Sequence, residues 1–228
     1  MAERTRTVDR AIDLLVAICD RGALSLADAA RETELSTSTA LRLMRTLEIN
    51  SLVRRDENGL FHPGSRMMQL GALALSHEAI VSLATPHLEC LVEATGESAY
   101  LSTFGHNDTA VYLSLAEGTH SIRHTSWVGR TLPLRGSATG AALRGETGQA
   151  GYAIVSSGVE SDVTSIAAPV RSGGGIVAAL SIVLPAYRLP ADGADSIGLL
   201  VASEAAQLSA DLGAPENRPP SDKPTSPI

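Results

Sequence analysis

The chain of 228 residues has one lysine, Lys223, two cysteines, one tryptophan, and no excess of positive charge; its formal net charge is −7. A single lysine in an acidic chain argues against a protein that coats or packages DNA, because such binding neutralises phosphates with many cations. Cys19 and Cys90 are too few and too far apart for a disulfide framework. Both fall on apolar stripes of expected helices and are read as reduced core thiols of a cytoplasmic protein. No apolar run is long enough to span a bilayer, and no apolar segment follows Met-Ala-Glu-Arg-Thr-Arg as a secretory signal would need. No membrane partner is expected. There is no Gly-x-Ser-x-Gly elbow and no identifiable pairing of nucleophile and base, which argues against hydrolysis without excluding a triad assembled in space. His120 and His124 are four apart in a stretch read as a strand, where that spacing is not the helical two-ligand arrangement, so no metal or cofactor is expected.

What is present is apolar enough to fold: 44% of residues are hydrophobic and 19% charged, which fits two cores, one small and one of ordinary domain size. The charge is uneven. Residues 1–66 hold ten arginines and ten acids, whereas residues 78–228 hold eight basic and fifteen acidic side chains. The first segment is neutral yet can present a basic face if Arg4, Arg6, Arg42, Arg45, Arg54 and Arg55 cluster. The acidic remainder repels phosphate, so only the N-terminal end is expected on DNA.

Periodicity predicts a first helix from about Thr7 to Asp20, with Val8, Ala11, Ile12, Leu15 and Cys19 as its buried stripe. Ser25 is an N-cap candidate for a second helix, and Ser36 for a third after a turn at Thr33-Glu34-Leu35. In the third helix Ala40, Leu43, Met44 and Leu47 make one face, while Ser38, Arg42 and Arg45 lie opposite. Asn58-Gly59 between Leu52–Arg55 and Leu60–His62 predicts a hairpin. Two short helices, a tight turn and a hairpin read as a winged helix-turn-helix, whose third helix fits a major groove. Residues 65–77, with Met67, Met68, Leu70, Leu73, Ala74 and Leu75, read as a helix too apolar to stand alone. It needs a partner, either its copy in a second subunit or the rest of its own chain.

A second, α+β domain follows. Ile80, Leu83, Ala84, His87, Leu88, Leu91 and Val92 recur at helical spacing, with a kink or fresh start expected at Pro86. Strands are expected at Ser98–Thr103, Thr109–Leu115, Ser121–Thr125, Gly151–Val155, Thr164–Val170 and Ile176–Leu184, with a short helix over Gly136–Leu143 and a last one over Ala191–Leu212. Ser172-Gly173-Gly174-Gly175 joins two strands and opens no helix, so it is a hairpin turn and not a phosphate loop. The Pro- and Ser-rich end carries no structural pattern.

Three segments together resemble the IclR family of bacterial transcriptional regulators over roughly residues 5–212. Ser36–Leu47 is similar to the family's recognition helix. Val128-Gly129-Arg130-Thr131-Leu132-Pro133-Leu134, running into Gly136–Gly140, is similar to its pocket-entry segment. Ile166–Val170 followed by Val177–Ile182 resembles its paired C-terminal strands. The resemblance implies a winged helix-turn-helix over residues 1–65, a linker helix over 66–78 and a GAF-like effector-binding domain with an antiparallel sheet over 79–212, while composition alone marks 213–228 as a disordered tail. It implies homodimers or homotetramers on a palindromic operator in double-stranded DNA, regulated by a small organic or aromatic acid, with repression the leading mode. By position it places effector contacts near Leu134, Gly136, Ser137, Ala138, Val155, Val163, Ser165, Ser181 and Val183. The chain departs from the family in three places. Only Arg144–Ala150 remain where several helical turns are usual. Val155 stands where an acidic or polar residue is usual. Glu34 replaces a common turn glycine, and because a positive φ disfavours glutamate the turn is expected to take another shape.

Residue by residue, Arg42 is the favoured base reader, since a guanidinium bonds guanine bidentately for about 1–3 kcal/mol of discrimination; the alternative is a phosphate contact. Thr37, Ser38 and Thr39 either contact DNA or cap the helix. Arg54, Arg55 and Asn58 on the wing, with Arg4 and Arg6, are read as backbone or minor-groove contacts. Ser137 with the amides of Ala138 and Thr139 makes either a carboxylate site or an ordinary cap. Ser165 and Ser181 either face one cavity or satisfy backbone, and Trp127 either walls that cavity or packs in the core. An enzyme acting on a small acid, with the winged helix as a tether, is the alternative function.

Overall fold

The computed structural model describes residues 5–76, 79–124, 126–189 and 194–213, so Arg4 and the expected tail beyond 213 lie outside the described residues. The chain divides into two compact units after residue 78.

The first unit is built from α1 (Arg6–Arg21), α2 (Leu26–Glu32), α3 (Thr37–Ile49), β1 (Val53–Arg55), β2 (Phe61–Pro63) and α4 (Ser65–Ser76). Ser25 caps α2 by accepting from the Asp28 amide, and Ser36 caps α3 by accepting from the Thr39 amide. Leu14, Ile18, Ala29, Ala30, Ala40, Leu43, Met44, Leu47, Val53 and Phe61 form its core. The expected stripe of α1 is displaced in part: Ala11 and Leu15 pack half-buried against the core. Leu14, Ala17 and Ile18 are buried, Cys19 is exposed, and Val8, Ile12 and Val16 are each about half exposed or more (53%, 50% and 52%). The helix has two apolar stripes, and its own unit covers one of them. The Thr33–Leu35 turn also differs from expectation: Glu34 takes a φ of +54° itself, so the turn keeps the left-handed residue and glutamate bears its cost.

β1 and β2 pair antiparallel around the Asn-Gly turn. Asp56 Oδ1 accepts from the Asn58 and Leu60 amides (3.0 and 2.9 Å), its Oδ2 meets His62 Nε2 at 2.8 Å, and Gly59 takes φ +81°. α4 is an apolar helix with Met68 and Leu70 exposed, so the described residues of its own unit do not cover these side chains.

The second unit contains α5 (Ala79–Thr95), β3 (Ser98–Phe104), β4 (Thr109–Ala116), β5 (Thr131–Pro133), α6 (Ala138–Leu143), β6 (Ala153–Ser156), β7 (Val163–Ser172), β8 (Gly175–Pro185) and α7 (Asp195–Asp211). The strands form one antiparallel sheet in the order β5-β4-β3-β8-β7-β6. α5 and α7 cover one face through Leu88, Leu91, Val201 and Leu208 against Leu101, Ile166, Leu180 and Ile182. α6 covers the other, where Tyr100, Ala167, Ala179 and Val183 lie. α5 runs unbroken through Pro86. The expected strand at Ser121–Thr125 is absent: residues 121–124 form an irregular segment, Thr125 lies outside the described residues, and the edge strand is β5 instead. Cys90 is exposed rather than core-facing, with its thiol donating to Glu204 Oε1 at 3.4 Å. The same carboxylate meets buried His87 (Nδ1 to Oε2, 2.7 Å), whose other nitrogen meets Asp211 at 3.1 Å, so α5 and α7 are pinned by a hydrogen-bonded clip.

Candidate functional site

Two places concentrate polar groups that the fold does not use up. The first is the outer face of α3. Its apolar face is buried, which turns Thr37, Ser38, Arg42 and Arg45 outward; all four are exposed and Thr39 is half-buried. The cap is Ser36, with the Ser38 and Thr39 hydroxyls gathered on its oxygen at 3.2 and 2.8 Å. Arg42, Arg45 and Arg54 have no acid partner among the described residues, whereas Arg31 and Arg21 are spent on Asp28 and Glu32. On the wing, Arg55 donates to the Gly59 carbonyl (3.3 Å) and lies 5.5 Å over the Phe61 ring, so it closes the hairpin. Asn58 is exposed at the tip. Unpaired guanidinium groups on a convex helix face, beside a stiff hairpin held by Asp56, make a surface for a polyanion with base edges.

The second place is a cavity on the α6 face of the sheet, about 30 Å³ in volume. Of the positions expected there, Ser137, Ala138, Val155, Val163, Ser165 and Val183 line it; Leu134, Gly136 and Ser181 do not. Leu134 packs in the core beneath α6, and its carbonyl accepts from Arg144 at 2.6 Å. Gly136 turns the chain with φ +73°, and a side chain on Gly158 would collide with its carbonyl, so that glycine is what lets residues 158–160 close over the cavity. Ser181 shares the face, paired with Tyr100 on β3, but is fully buried with no hydrogen-bond partner among the described residues, as are the Ser102 and Thr139 hydroxyls.

Ser137 also differs from the carboxylate-site expectation. Its hydroxyl donates to the Pro133 carbonyl (2.6 Å) and accepts from the Gly140 amide (3.1 Å), so it is an ordinary cap. The short Arg144–Ala150 segment does not line the cavity; Arg144 is tied to Glu146 at 2.9 and 2.7 Å.

Sequence reasoning missed Tyr112, His124, Leu132, Gly158, Val159 and Glu160, while Trp127 lines the cavity as one of its two readings held. His124 was weighed only as a metal ligand. Its Nδ1 lies 2.6 Å from Tyr100 Oη and its Nε2 lies 3.5 Å from Glu160 Oε2. Burial holds the imidazole below its ordinary value, opposed by Glu160. Burial pushes the Tyr112 phenol up to about 12 and raises Tyr100 further, so both are neutral donors at physiological pH. Tyr112, Trp127 and His124 meet edge to face at centroid distances of 6.1 and 4.9 Å. The result is a small, apolar, aromatic-walled cavity with a polar end: its lining has the chemistry of a small-molecule site, while its volume is well below the roughly 300–1,000 Å³ usual for one.

Comparison with known proteins bears on both places. The IclR helix-turn-helix domain family matches residues 7–57, and the bacterial transcriptional regulator IclR C-terminal family matches residues 72–145 and 145–210. The chain is 31% identical over 139 residues to the HTH-type transcriptional regulator BhcR of Paracoccus denitrificans, covering 56% of this chain and 50% of that protein. It is 26% identical over 143 residues to the transcriptional repressor IclR of Escherichia coli, covering 61% and 52%. The chain thus spans about half the length of the curated relatives it matches. Its fold matches the crystal structure of an IclR homologue from Microbacterium hydrocarbonoxydans complexed with 4-hydroxybenzoate, with a TM-score of 0.76 and 22% identity over 91% of this chain and 99% of that one.

Proposed function

Since the chain belongs to the IclR family of bacterial transcriptional regulators, we propose that it is a sequence-specific DNA-binding regulator, acting as a repressor, whose operator affinity is set by a small organic or aromatic acid. The observation that carries the DNA half is the outward face of α3, where Arg42 and Arg45 stand exposed and unpaired among the described residues. Thr37, Ser38, Thr39, Arg54 and Asn58 complete the surface, with Arg55 holding the wing's shape. The effector half is supported by the aromatic-walled cavity and by the homologue that holds 4-hydroxybenzoate.

The operator is a palindrome read by a homodimer, alone or as half of a homotetramer. Two unfilled apolar faces support this: Val8, Ile12 and Val16 on α1, and Met68 and Leu70 on α4. Apolar stripes of that length are covered in a stable assembly. Two-fold dimers read half-sites roughly 34 Å apart, or multiples of that, so a ligand that binds one arrangement better shifts operator occupancy. The test is Arg42→Ala measured against operator and scrambled DNA. Discrimination is expected to fall by about 1–3 kcal/mol while nonspecific binding persists; undiminished discrimination refutes the role given to this face.

A further inference from the structure

The cavity of about 30 Å³ has room for roughly two waters, so it takes one small end of a ligand and not a whole molecule. An adjoining groove of about 240 Å³ shares His124, Glu160, Val163 and Val183 with it and has room for the rest. The groups on the cavity wall therefore decide which end of a ligand goes in.

Among the lining residues the one formal charge is the Glu160 carboxylate; no lysine or arginine lines the cavity. Glu160 meets His124 Nε2 at 3.5 Å, long for a hydrogen bond, and burial holds that imidazole below its ordinary value. The ring is neutral at physiological pH and leaves the negative charge standing. That charge reaches the aromatic wall, where it adds to the burial that pushes the Tyr112 phenol up to about 12. Arg130 lies 5.8 Å over the Trp127 ring but does not line the cavity. The cation of the groove is Arg123. Its Nε and Nη2 are held by Glu117 at 3.3 and 3.1 Å, and its Nη1 is only 3.5 Å from the His120 carbonyl.

The possible ends of a ligand fare differently here. A carboxylate in the cavity would face Glu160 with no cation to offset the repulsion, in a small apolar space where charge is poorly screened. A methyl group fills the space and leaves Glu160 unpaired. An ammonium pairs with Glu160, has further protons for the Tyr112 and Ser165 hydroxyls on the same wall, and lies among the Trp127 and Tyr112 rings, whose faces attract cations. A metal ion is a poor rival, because no group of three His, Cys, Asp or Glu among the described residues could hold one.

We propose that the cavity is a cation-selecting subsite: the ligand is a small zwitterionic acid whose ammonium end enters it to pair with Glu160 beside Trp127 and Tyr112. The carboxylate of that ligand stays in the groove, where Arg123 Nη1 is the donor available to it. The inference rests on the reading of the cavity as the effector site and narrows the acid to one that carries a cationic end.

The experiment is calorimetric titration of the full chain with two isosteric pairs, 4-(aminomethyl)benzoate against 4-ethylbenzoate and 4-aminobutyrate against pentanoate. In each pair an ammonium replaces a methyl group and the carboxylate is kept. At least one zwitterion is expected to bind about tenfold or more tightly than its isostere, the worth of a charge-assisted hydrogen bond. The Glu160 side chain is 40% exposed, so its replacement is compatible with folding. Glu160→Gln is expected to remove most of the preference and Glu160→Lys to reverse it. Equal affinities within both pairs, tighter binding of the isosteres, a preference unchanged in Glu160→Gln, or no binding by any of the four compounds overturns the proposal. Operator release in the same samples separates the two claims. If the ammonium preference obeys Glu160 but bound compounds never alter operator affinity, the effector reading fails and the subsite stands. If the isosteres bind as well as the zwitterions and release the operator, the subsite fails and the effector reading stands.

Discussion

The sheet of the second unit is filled differently on its two faces. Towards α5 and α7, Leu101, Ile166, Leu180, Ile182 and Leu184 meet Leu88, Leu91 and Leu208, and the packing is aliphatic. Towards α6 the same strands present Tyr100, Ser102, Ser165 and Ser181, three buried hydroxyls there or on α6 have no partner among the described residues, and a cavity remains. Alternation along β3, β7 and β8 makes this division possible, because neighbouring residues of one strand serve opposite faces. The aliphatic face supplies the stability that lets the other remain incompletely packed, as the proposed effector site requires.

Three substitutions or conditions test that division. Leu180→Ala on the aliphatic face is expected to cost about 2–5 kcal/mol in denaturant unfolding; a cost below 1 kcal/mol would show that this face is not the stabilising one. One residue along, Ser181→Ala is expected to raise stability by about 1 kcal/mol, since it removes a buried hydroxyl that has no partner. A loss instead would mean that the hydroxyl is already satisfied in solution. The smallest effect is one of pH. Burial lowers the folded-state value of His124 below its ordinary 6.5, so the unfolded chain binds the proton first. Its contribution is complete above about 6.5 and is lost as pH falls from there through the lowered folded value. Thermal melts between pH 8 and 5 are expected to show this slope in the wild type and a shallower one in His124→Gln. Identical slopes would move the titration elsewhere.

Much of the first unit was legible because its signals are local. The Ser25 and Ser36 caps, the α3 stripe and the Asn58-Gly59 turn each lie within a few residues of what they determine. The stripe expected on α1 is right at Ala11 and Leu15, which pack on the core, and wrong at Val8 and Ile12, which are exposed while Leu14 and Ile18 are buried, because the helix has two apolar stripes and periodicity does not say which one its own unit covers. Glu34 was misjudged for a related reason: the tertiary packing of α2 on α3 outweighs a local penalty of about 1–2 kcal/mol. Six of the nine positions named from the resemblance lie in the cavity wall. The resemblance could not supply Tyr112, His124 and Glu160, which come from β4 and two irregular segments. The segment at 121–124 follows the Glu117-Gly118 turn as a strand would, but Ser98 Oγ bonds the His124 carbonyl (3.2 Å) and Tyr100 bonds its ring, which holds it as a loop against the sheet.

Trp127 is the sole tryptophan of the chain, and it stands in the cavity wall with the His124 ring 4.9 Å away and Arg130 5.8 Å over its own ring. All indole emission from this molecule therefore originates at one known spot. A filled cavity, or a charged imidazole quenching its neighbour, changes the fluorescence of the native chain with no dye attached and no competing fluorophore of the same kind to subtract.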